Sequence, residues 1–332
     1  MYNFEKNILL TKRNTMHLDA IASLWAEFSD PGQLAEIMQQ CKIHALPWYV
    51  LGGGSNIILT GNFPGVYIHP TSDLILREEN TLLIADAGVV WDDFVAYCVE
   101  QGLWGVENLS LIPGQVGAAP IQNIGAYGSE AKDTIEWVEY LDTQTMKFEK
   151  IYGEDCRFGY RSSIFKEELC RRSVVIRVAF RLSSEPIPNL KYGDLLTRTH
   201  NKGDVSLENI RQAVIDIRRE KLPDPDLLGN AGSFFKNPVI TLEKTDRLKE
   251  IYPDIPAYPV DGGMKIPAAW LIEHAGWKGR RCGTVGVHDQ QPLVLVNYGS
   301  ATASEILSLS GRIQEDILRQ FGIAIAQEVN IL

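Results

Sequence analysis

The chain has 332 residues, too many for one small core, so two or three domains are expected. Hydrophobic residues make up 45% and charged residues 22%, an ordinary globular balance without the composition of a disordered tail. The formal net charge of −10 argues against a nucleic-acid-binding protein. An anionic ligand must therefore be held by local basic residues and backbone amides.

The sequence predicts a cytoplasmic protein with no membrane insertion and no metal site. Its amino terminus lacks the apolar core of a signal peptide, and no stretch approaches the ~20 apolar residues of a membrane helix. The five cysteines and six histidines are scattered, without a C-x-x-C or H-E-x-x-H motif. This pattern is typical of reduced thiols in a cytoplasm.

The first predicted helix begins at Pro31, because Asp30 can cap it and Gln33 follows three residues after the cap. A strand at 48–51 and an apolar run at 57–59 come next. Residues up to about 70 therefore predict a small β-α-β unit.

The remaining elements predict two further domains. Short strands are expected at 81–87, 137–141 and 174–182, together with a helix whose buried face includes Trp91, Phe94, Val95, Cys98 and Val99. Further helices are expected at about 206–222, from Pro267 to near Gly276, and from about Ala303 to Phe321. Strands with few helices predict an α+β fold, with domains at 1–70, 71–216 and 217–332.

Two glycine-rich loops are the main candidates for a ligand site. Leu51–Asn56 follows a strand, and its glycines allow backbone amides to converge on anionic oxygens. It is neither a Rossmann fingerprint nor a P-loop, and taken alone it is more typical of an ordinary tight turn. Pro113–Gly128 is longer, carries no charge and mixes small residues with Gln, Asn and Tyr. This composition favours a segment that wraps a large flat cofactor, the alternative being an irregular buried connection.

With these loops in place, the chain resembles the UDP-N-acetylenolpyruvoylglucosamine reductase (MurB) family of bacterial peptidoglycan synthesis. The resemblance covers nearly the whole chain and rests on five segments in the family's order. They are Leu51–Asn56, Ile112–Gly128, Cys156–Lys166, Gly229–Pro238 and Glu328–Val329.

The resemblance implies an FAD-binding fold of the vanillyl-alcohol-oxidase type, built from two α+β subdomains (1–70 and 71–216). A third α+β domain (217–332) would bind substrate, with the last residues returning to the first subdomain. It also implies that NADPH reduces the flavin, which then reduces the enolpyruvyl ether of UDP-N-acetylglucosamine to UDP-N-acetylmuramate. Roles in cell-wall biogenesis, cell shape and cell division would follow, and a monomer is expected.

The resemblance assigns FAD to residues of the two loops. They are Leu51, Gly52, Gly53, Gly54, Ser55, Asn56, Pro113, Gly114, Val116, Gly117, Ala118, Gln122, Asn123, Gly125, Ala126, Tyr127 and Gly128.

Three catalytic residues are implied by the same resemblance. Arg161 would hold the substrate carboxylate, because a guanidinium fork suits a planar carboxylate. Ser233 would donate the proton, and Glu328 would assist stabilisation of the enol intermediate, for which it would have to be protonated. Without their motifs, Arg161 and Ser233 would be more typical of a surface ion pair and a turn serine. An exposed terminal glutamate is the alternative for Glu328.

For the nucleotide-sugar the resemblance indicates donors suited to a diphosphate: Tyr192, Lys221, Asn237, Tyr258, Lys278 and Gln291. Tyr192 also indicates the family subtype whose tyrosine loop folds over the bound substrate. Solvated surface charges are the alternative for the lysines.

One departure from the family is the short end of the chain, Asn330–Leu332, where an arginine and a further strand commonly follow the glutamate-valine pair. Two other functions stay open at this point. One is an FAD-dependent alcohol oxidase of the same cofactor fold, although neither loop has a His or Cys for a covalent flavin link. The other is a nucleotide-sugar-binding protein without redox activity.

Overall fold

The computed structural model describes residues 2–332, which divide into two compact units. The first unit comprises the residues up to Ile8 together with Ala22–Gly53 and Pro64–Arg218. The second unit comprises Leu9–Ile21, Gly54–Phe63 and Arg219–Leu332. Two short amino-terminal segments thus belong with the carboxy-terminal part of the chain, while the three-domain division at residues 70 and 216 stays a prediction.

The helices are α1 (Pro31–Ile43), α2 (Trp91–Glu100), α3 (Leu195–His200), α4 (Leu207–Lys221), α5 (Leu242–Ile251), α6 (Ala268–His274) and α7 (Ala303–Phe321). The strands in the amino-terminal half are β1 (Glu5–Leu9), β2 (Ile21–Phe28), β3 (Trp48–Val50), β4 (Ile57–Ile58), β5 (Phe63–Pro70), β6 (Ile75–Arg77), β7 (Leu82–Asp86), β8 (Gly125–Ala126), β9 (Ser129–Glu130), β10 (Ile135–Asp142) and β11 (Lys147–Tyr152). The later strands are β12 (Ser173–Arg181), β13 (Gly229–Ser233), β14 (Val239–Ile240), β15 (Tyr258–Val260), β16 (Gly263–Lys265), β17 (Arg281–Cys282), β18 (Val285–Val287), β19 (Val294–Asn297) and β20 (Asn330–Ile331). Across residues 2–332, the structure holds no helix that is long and apolar enough to cross a bilayer.

The first unit contains two sheets. One has the order β1-β2-β5-β3, with β3 and β5 parallel, and the other has the order β11-β10-β12-β7-β6 with antiparallel neighbours. The side chain of Asp30 accepts a hydrogen bond from Gln33 N, so α1 begins at Pro31 as predicted. The buried face of α2 is the predicted one, from Trp91 to Val99.

The second unit packs α5, α6 and α7 on short sheets of orders β13-β19-β18-β17 and β14-β16-β15. The predicted capping box is present, because Thr302 and Glu305 bond each other's backbone amides. α7 ends at Phe321 and is capped by Gly322, whose φ is +64°. β20 pairs in parallel with β4, so the last residues return to residues 57–58. The helices and strands together confirm the predicted α+β class.

Candidate active site

The first glycine loop is fixed where it leaves β3. Leu51 is buried, and its N–H donates to Ile68 O at 2.9 Å. Its carbonyl lies 2.7 Å from Nδ1 of His69, which must carry the hydrogen because a carbonyl only accepts. β5 therefore holds Leu51, at the start of this loop, through both its N–H and its carbonyl.

The two glycine loops lie against each other. A Cβ on Gly53 would be 3.2 Å from Gly114 Cα, and one on Gly52 would be 3.0 Å from Gln115 Oε1. Both distances are shorter than the roughly 3.5–4.0 Å of a favourable contact between carbon atoms. The absence of side chains at Gly52 and Gly53 therefore permits this close approach, and we call the surface formed by Gly52, Gly53 and Gly114 the glycine cradle.

Gln115 lies at the cradle but is absent from the predicted cofactor residues. Its Nε2 donates to Gly88 O at 2.9 Å and to Pro70 O at 3.3 Å. Its Oε1 is buried and has no hydrogen-bond donor among residues 2–332. A buried acceptor beside a surface made of glycine backbone suits a polar ligand held close to the main chain. No local sequence signal separates Gln115 from any other loop glutamine.

The second glycine loop is held by its own backbone. Val116 N donates to Val89 O at 2.8 Å, and the loop ends in the β8–β9 hairpin. The two turn residues, Tyr127 and Gly128, have φ of +49° and +84°, as a tight hairpin turn with positive φ at both central residues requires. Tyrosine rarely adopts this backbone conformation, so the hairpin must be stabilised by its surroundings.

The polar side chains of this loop are used within the protein. The amide of Asn123 donates to Glu130 Oε2 at 2.9 Å and to Gly159 O at 3.1 Å, and it accepts from Lys132 N at 3.0 Å. Gln122 accepts from Lys166 Nζ at 3.1 Å. These bonds shape the loop, so a cofactor would meet its backbone more than these amide groups.

Arg161 is brought to the second glycine loop. Its guanidinium donates to Asn123 O at 3.2 Å and to Gly125 O at 2.9 Å. Its backbone φ is +55°, within a tight turn closed by mutual Gly159 and Ser162 backbone bonds. A non-glycine residue held in this conformation by a closed turn has a fixed backbone, and this arrangement suits a cation that must be held in one position.

A second arginine, missed in the sequence, lies beside the same loop. Arg218 of α4 donates from Nε to Leu111 O at 3.1 Å, and its guanidinium lies near the hydroxyl of Tyr127. Burial lowers the pKa of Arg218 and raises the pKa of Tyr127. The helical face of α4 gave no indication that this arginine points inwards, because it lies among other charged residues near the end of the helix.

Tyr192 lies in the first unit, with its side chain 57% exposed. Its ring meets that of Tyr127 edge to face, with centroids 5.8 Å apart. A pocket of about 400 Å³ is lined by Gly128, Pro188, Asn189, Lys191 and Tyr192. Tyr192 is therefore accessible and adjacent to the second glycine loop.

In the second unit, the structure brings the segments of Ser233 and Glu328 together. Ser233 ends β13, and the N–H of Glu328 donates to Phe234 O at 2.8 Å. Phe235 and Gln327 form an antiparallel bridge, so Glu328 lies opposite the neighbour of Ser233. Glu328 is 9% exposed and thus buried, unlike an ordinary terminal glutamate.

The other predicted substrate residues are spread over the second unit. Asn237 accepts from Ala268 N at 2.9 Å at the start of α6, and Lys278 pairs with Glu273 at 2.8 Å. Gln291 accepts weakly from Leu293 N at 3.4 Å, Tyr258 is 54% exposed, and Lys221 is exposed at the end of α4. These residues are accessible or locally bonded, and their part in binding stays a prediction.

Comparison with known families defines the chain as an FAD-binding type of protein. Residues 22–146 match the family described as FAD binding domain, in agreement with the predicted fold. Residues 224–332 match the family described as UDP-N-acetylenolpyruvoylglucosamine reductase, C-terminal domain.

Curated relatives extend this likeness over the whole chain. UDP-N-acetylenolpyruvoylglucosamine reductase of Bdellovibrio bacteriovorus is 42% identical over 96% of both chains, and that of Pseudomonas aeruginosa is 43% identical over 98% of both. The crystal structure of the Thermus caldophilus reductase has a similar fold, with a TM-score of 0.71 and 24% identity over 100% of this chain and 99% of that one. The chain therefore belongs to the UDP-N-acetylenolpyruvoylglucosamine reductase family.

Proposed function

We propose that this protein reduces the enolpyruvyl ether of UDP-N-acetylglucosamine to UDP-N-acetylmuramate, with FAD as cofactor and NADPH as reductant. The observation that carries the proposal is the pairing of the Glu328 segment with the Ser233 segment. It supports a buried carboxyl group and a hydroxyl group acting in one site. Full-length relatives that bear the reductase name support the substrate.

The residues of the first unit fit FAD. The glycine cradle offers a close backbone approach for a diphosphate. The Oε1 of Gln115, which has no donor in the described part of the chain, offers a buried acceptor. When bound, FAD supplies the hydride that it has taken from NADPH. Arg218 places a buried positive charge next to the second loop, which favours an anionic group there.

The catalytic roles follow from what the reaction demands of the protein. Hydride addition to the vinyl carbon leaves enolate charge shared with the substrate carboxylate, and that charge needs a fixed cation. Arg161, held by two carbonyls of the second loop, would bind this carboxylate. Ser233 would donate the proton to the adjacent carbon, and Glu328 in its protonated form would donate a hydrogen bond to the enolate.

The substrate contacts are proposed on the chemistry of the side chains. Lys221 and Lys278 supply positive charge for a diphosphate in an acidic protein, and Asn237 and Gln291 supply directional bonds. Tyr192, exposed beside the pocket of the first unit, would close over the bound substrate.

The setting proposed is a cytoplasmic monomer in peptidoglycan synthesis, and hence in cell-wall biogenesis, cell shape and cell division. The free cysteines Cys41, Cys98, Cys156, Cys170 and Cys282 fit a reducing compartment.

The test is a steady-state assay of the purified protein, which should be yellow because of its bound flavin. NADPH oxidation should depend on the enolpyruvyl substrate, and mass spectrometry should show a product heavier by two hydrogen atoms. NADPH oxidation that requires oxygen and does not depend on this substrate would favour an oxidase. A colourless protein that binds the nucleotide-sugar would favour a non-redox binding protein.

A further inference from the structure

The side-chain orientation of Gln115 is fixed by its surroundings. Nε2 faces two carbonyl oxygens, Gly88 O at 2.9 Å and Pro70 O at 3.3 Å. A flipped amide would place Oε1 beside these two carbonyl oxygens, neither of which can donate a hydrogen bond. The atom that faces the glycine cradle is therefore Oε1.

This oxygen can only accept a hydrogen bond. It is buried, and residues 2–332 offer it no donor. It would lie 3.0 Å from a Cβ on Gly52, so glycine at that position leaves the space in front of it open. A buried carbonyl oxygen without a partner is destabilising, so a ligand group that donates to it is favoured.

The chemistry of the acceptor selects the part of the cofactor that meets it. A diphosphate is ionised at neutral pH and has only acceptors, so it would be repelled by Oε1. The groups of FAD that donate close to the diphosphate are the hydroxyls of the ribityl chain and of the adenosine ribose. A hydroxyl would satisfy Oε1 while its neighbouring phosphates lie on backbone amides.

We propose that Gln115 is a further cofactor-binding residue, whose Oε1 accepts a hydrogen bond from a hydroxyl of FAD in the ribityl chain or the adenosine ribose. The inference rests on the proposed function only in its use of FAD. It assigns a side-chain contact to a loop whose other polar side chains, Gln122 and Asn123, are already bonded within the protein.

The test combines a substitution with a change in the ligand. Flavin-free protein, prepared from the holoprotein, is titrated with FAD and with analogues that lack single hydroxyls of the ribityl chain or of the ribose. Loss of a neutral hydrogen bond should weaken wild-type binding of one analogue by about tenfold. The analogue affected tells the ribityl chain from the ribose. Gln115→Met should bind FAD about tenfold more weakly and should not distinguish that analogue from FAD.

Gln115→Glu separates the oxygen from the nitrogen. Both Gln115→Glu and Gln115→Met lose the Nε2 bonds to Gly88 and Pro70, but only the glutamate keeps an acceptor, so only it should still distinguish the analogue. If Gln115→Met fails to fold, Gln115→Lys serves in its place, since it keeps an N–H donor and lacks the acceptor. Gln314→Met is the matched control, because Gln314 also donates from Nε2 to a carbonyl, Ile325 O at 2.7 Å.

Two results would overturn the inference. One is FAD binding by Gln115→Met that equals that of the wild type. The other is that Gln115→Met weakens the binding of FAD and of every analogue by the same factor. That result would mean that a water molecule satisfies Oε1 and that Gln115 only supports the loop. Neither result touches the proposed function, which fails only if the wild-type protein does not bind FAD or does not reduce the substrate.

Discussion

Replacing Gly53 by alanine tests whether the two glycine loops form one cofactor site. The new Cβ would lie 3.2 Å from Gly114 Cα and 3.7 Å from the carbonyl carbon of Gly114. Carbon atoms attract best at about 3.5–4.0 Å, so the loops would have to separate by about 0.3–0.8 Å. The second loop cannot easily retreat, because Gly114 O accepts from Trp91 N at 3.0 Å. Overpacking of this kind costs about 1–3 kcal/mol.

If the overpacking destabilises the FAD-bound protein by this amount, the FAD dissociation constant should rise roughly 5- to 160-fold, since RT is about 0.6 kcal/mol. The assay is titration of flavin-free protein, followed by flavin fluorescence, alongside thermal unfolding of the same sample. Gly61→Ala is the matched control, because a Cβ there would meet no atom of residues 2–332 within 4 Å. Wild-type FAD affinity in Gly53→Ala, at an unchanged unfolding midpoint, would refute the role of the cradle.

Three further changes have defined outcomes. Arg161→Lys should lower kcat for the enolpyruvyl substrate by at least about tenfold in a steady-state assay, because lysine lacks the bidentate fork; unchanged kcat would contradict this. Arg172 holds the pKa of Asp142 below its ordinary value of 3.8, so the ion pair stabilises the fold above that pH. Asp142→Asn should therefore lower the free energy of unfolding at pH 7, with a loss that fades as the pH falls through the folded-state pKa, as urea unfolding at several pH values would show. Gly311→Ala in α7 should raise that free energy by about 0.5–1 kcal/mol, because alanine is the better helix former and its Cβ meets nothing within 4 Å.

Local sequence signals predicted the helices whose ends are marked by capping residues. The cap at Asp30, the capping box at Thr302 and the stop at Gly322 each involve residues a few positions apart, so they can be seen in the sequence. β1 was missed because its residues are mostly exposed and show no alternation of apolar and polar side chains. α5 was also missed, although Thr241 caps it, because only two of its residues are buried.

Motifs indicate some residues of the candidate site, whereas others come into view only through contacts between distant segments. The glycine loops and Arg161 were found through their motifs, and the structure places Arg161 on the second loop. The Oε1 of Gln115 has no donor among residues 2–332, because the carbonyls of Pro70 and Gly88 hold Nε2 and Oε1 faces the first loop. These segments are separated along the chain. The burial of Arg218 likewise depends on the packing of α4, which spacing within one helix cannot show.

The proton-donor role of Ser233 separates the two halves of the proposed reaction. In the proposed mechanism Ser233 protonates the substrate and takes no part in flavin reduction by NADPH. Ser233→Ala should therefore leave reduction by NADPH nearly intact, while slowing reoxidation by substrate by at least about a hundredfold, the usual share of general-acid catalysis.

Anaerobic stopped-flow spectroscopy of the wild-type protein and of Ser233→Ala tests the central claim most directly. NADPH should bleach the flavin absorbance of both proteins at similar rates, and the enolpyruvyl substrate should restore it rapidly in the wild type alone. Reoxidation of the wild-type flavin by oxygen but not by the substrate would contradict the reductase function. Equal losses in both half-reactions of Ser233→Ala would contradict the role of Ser233.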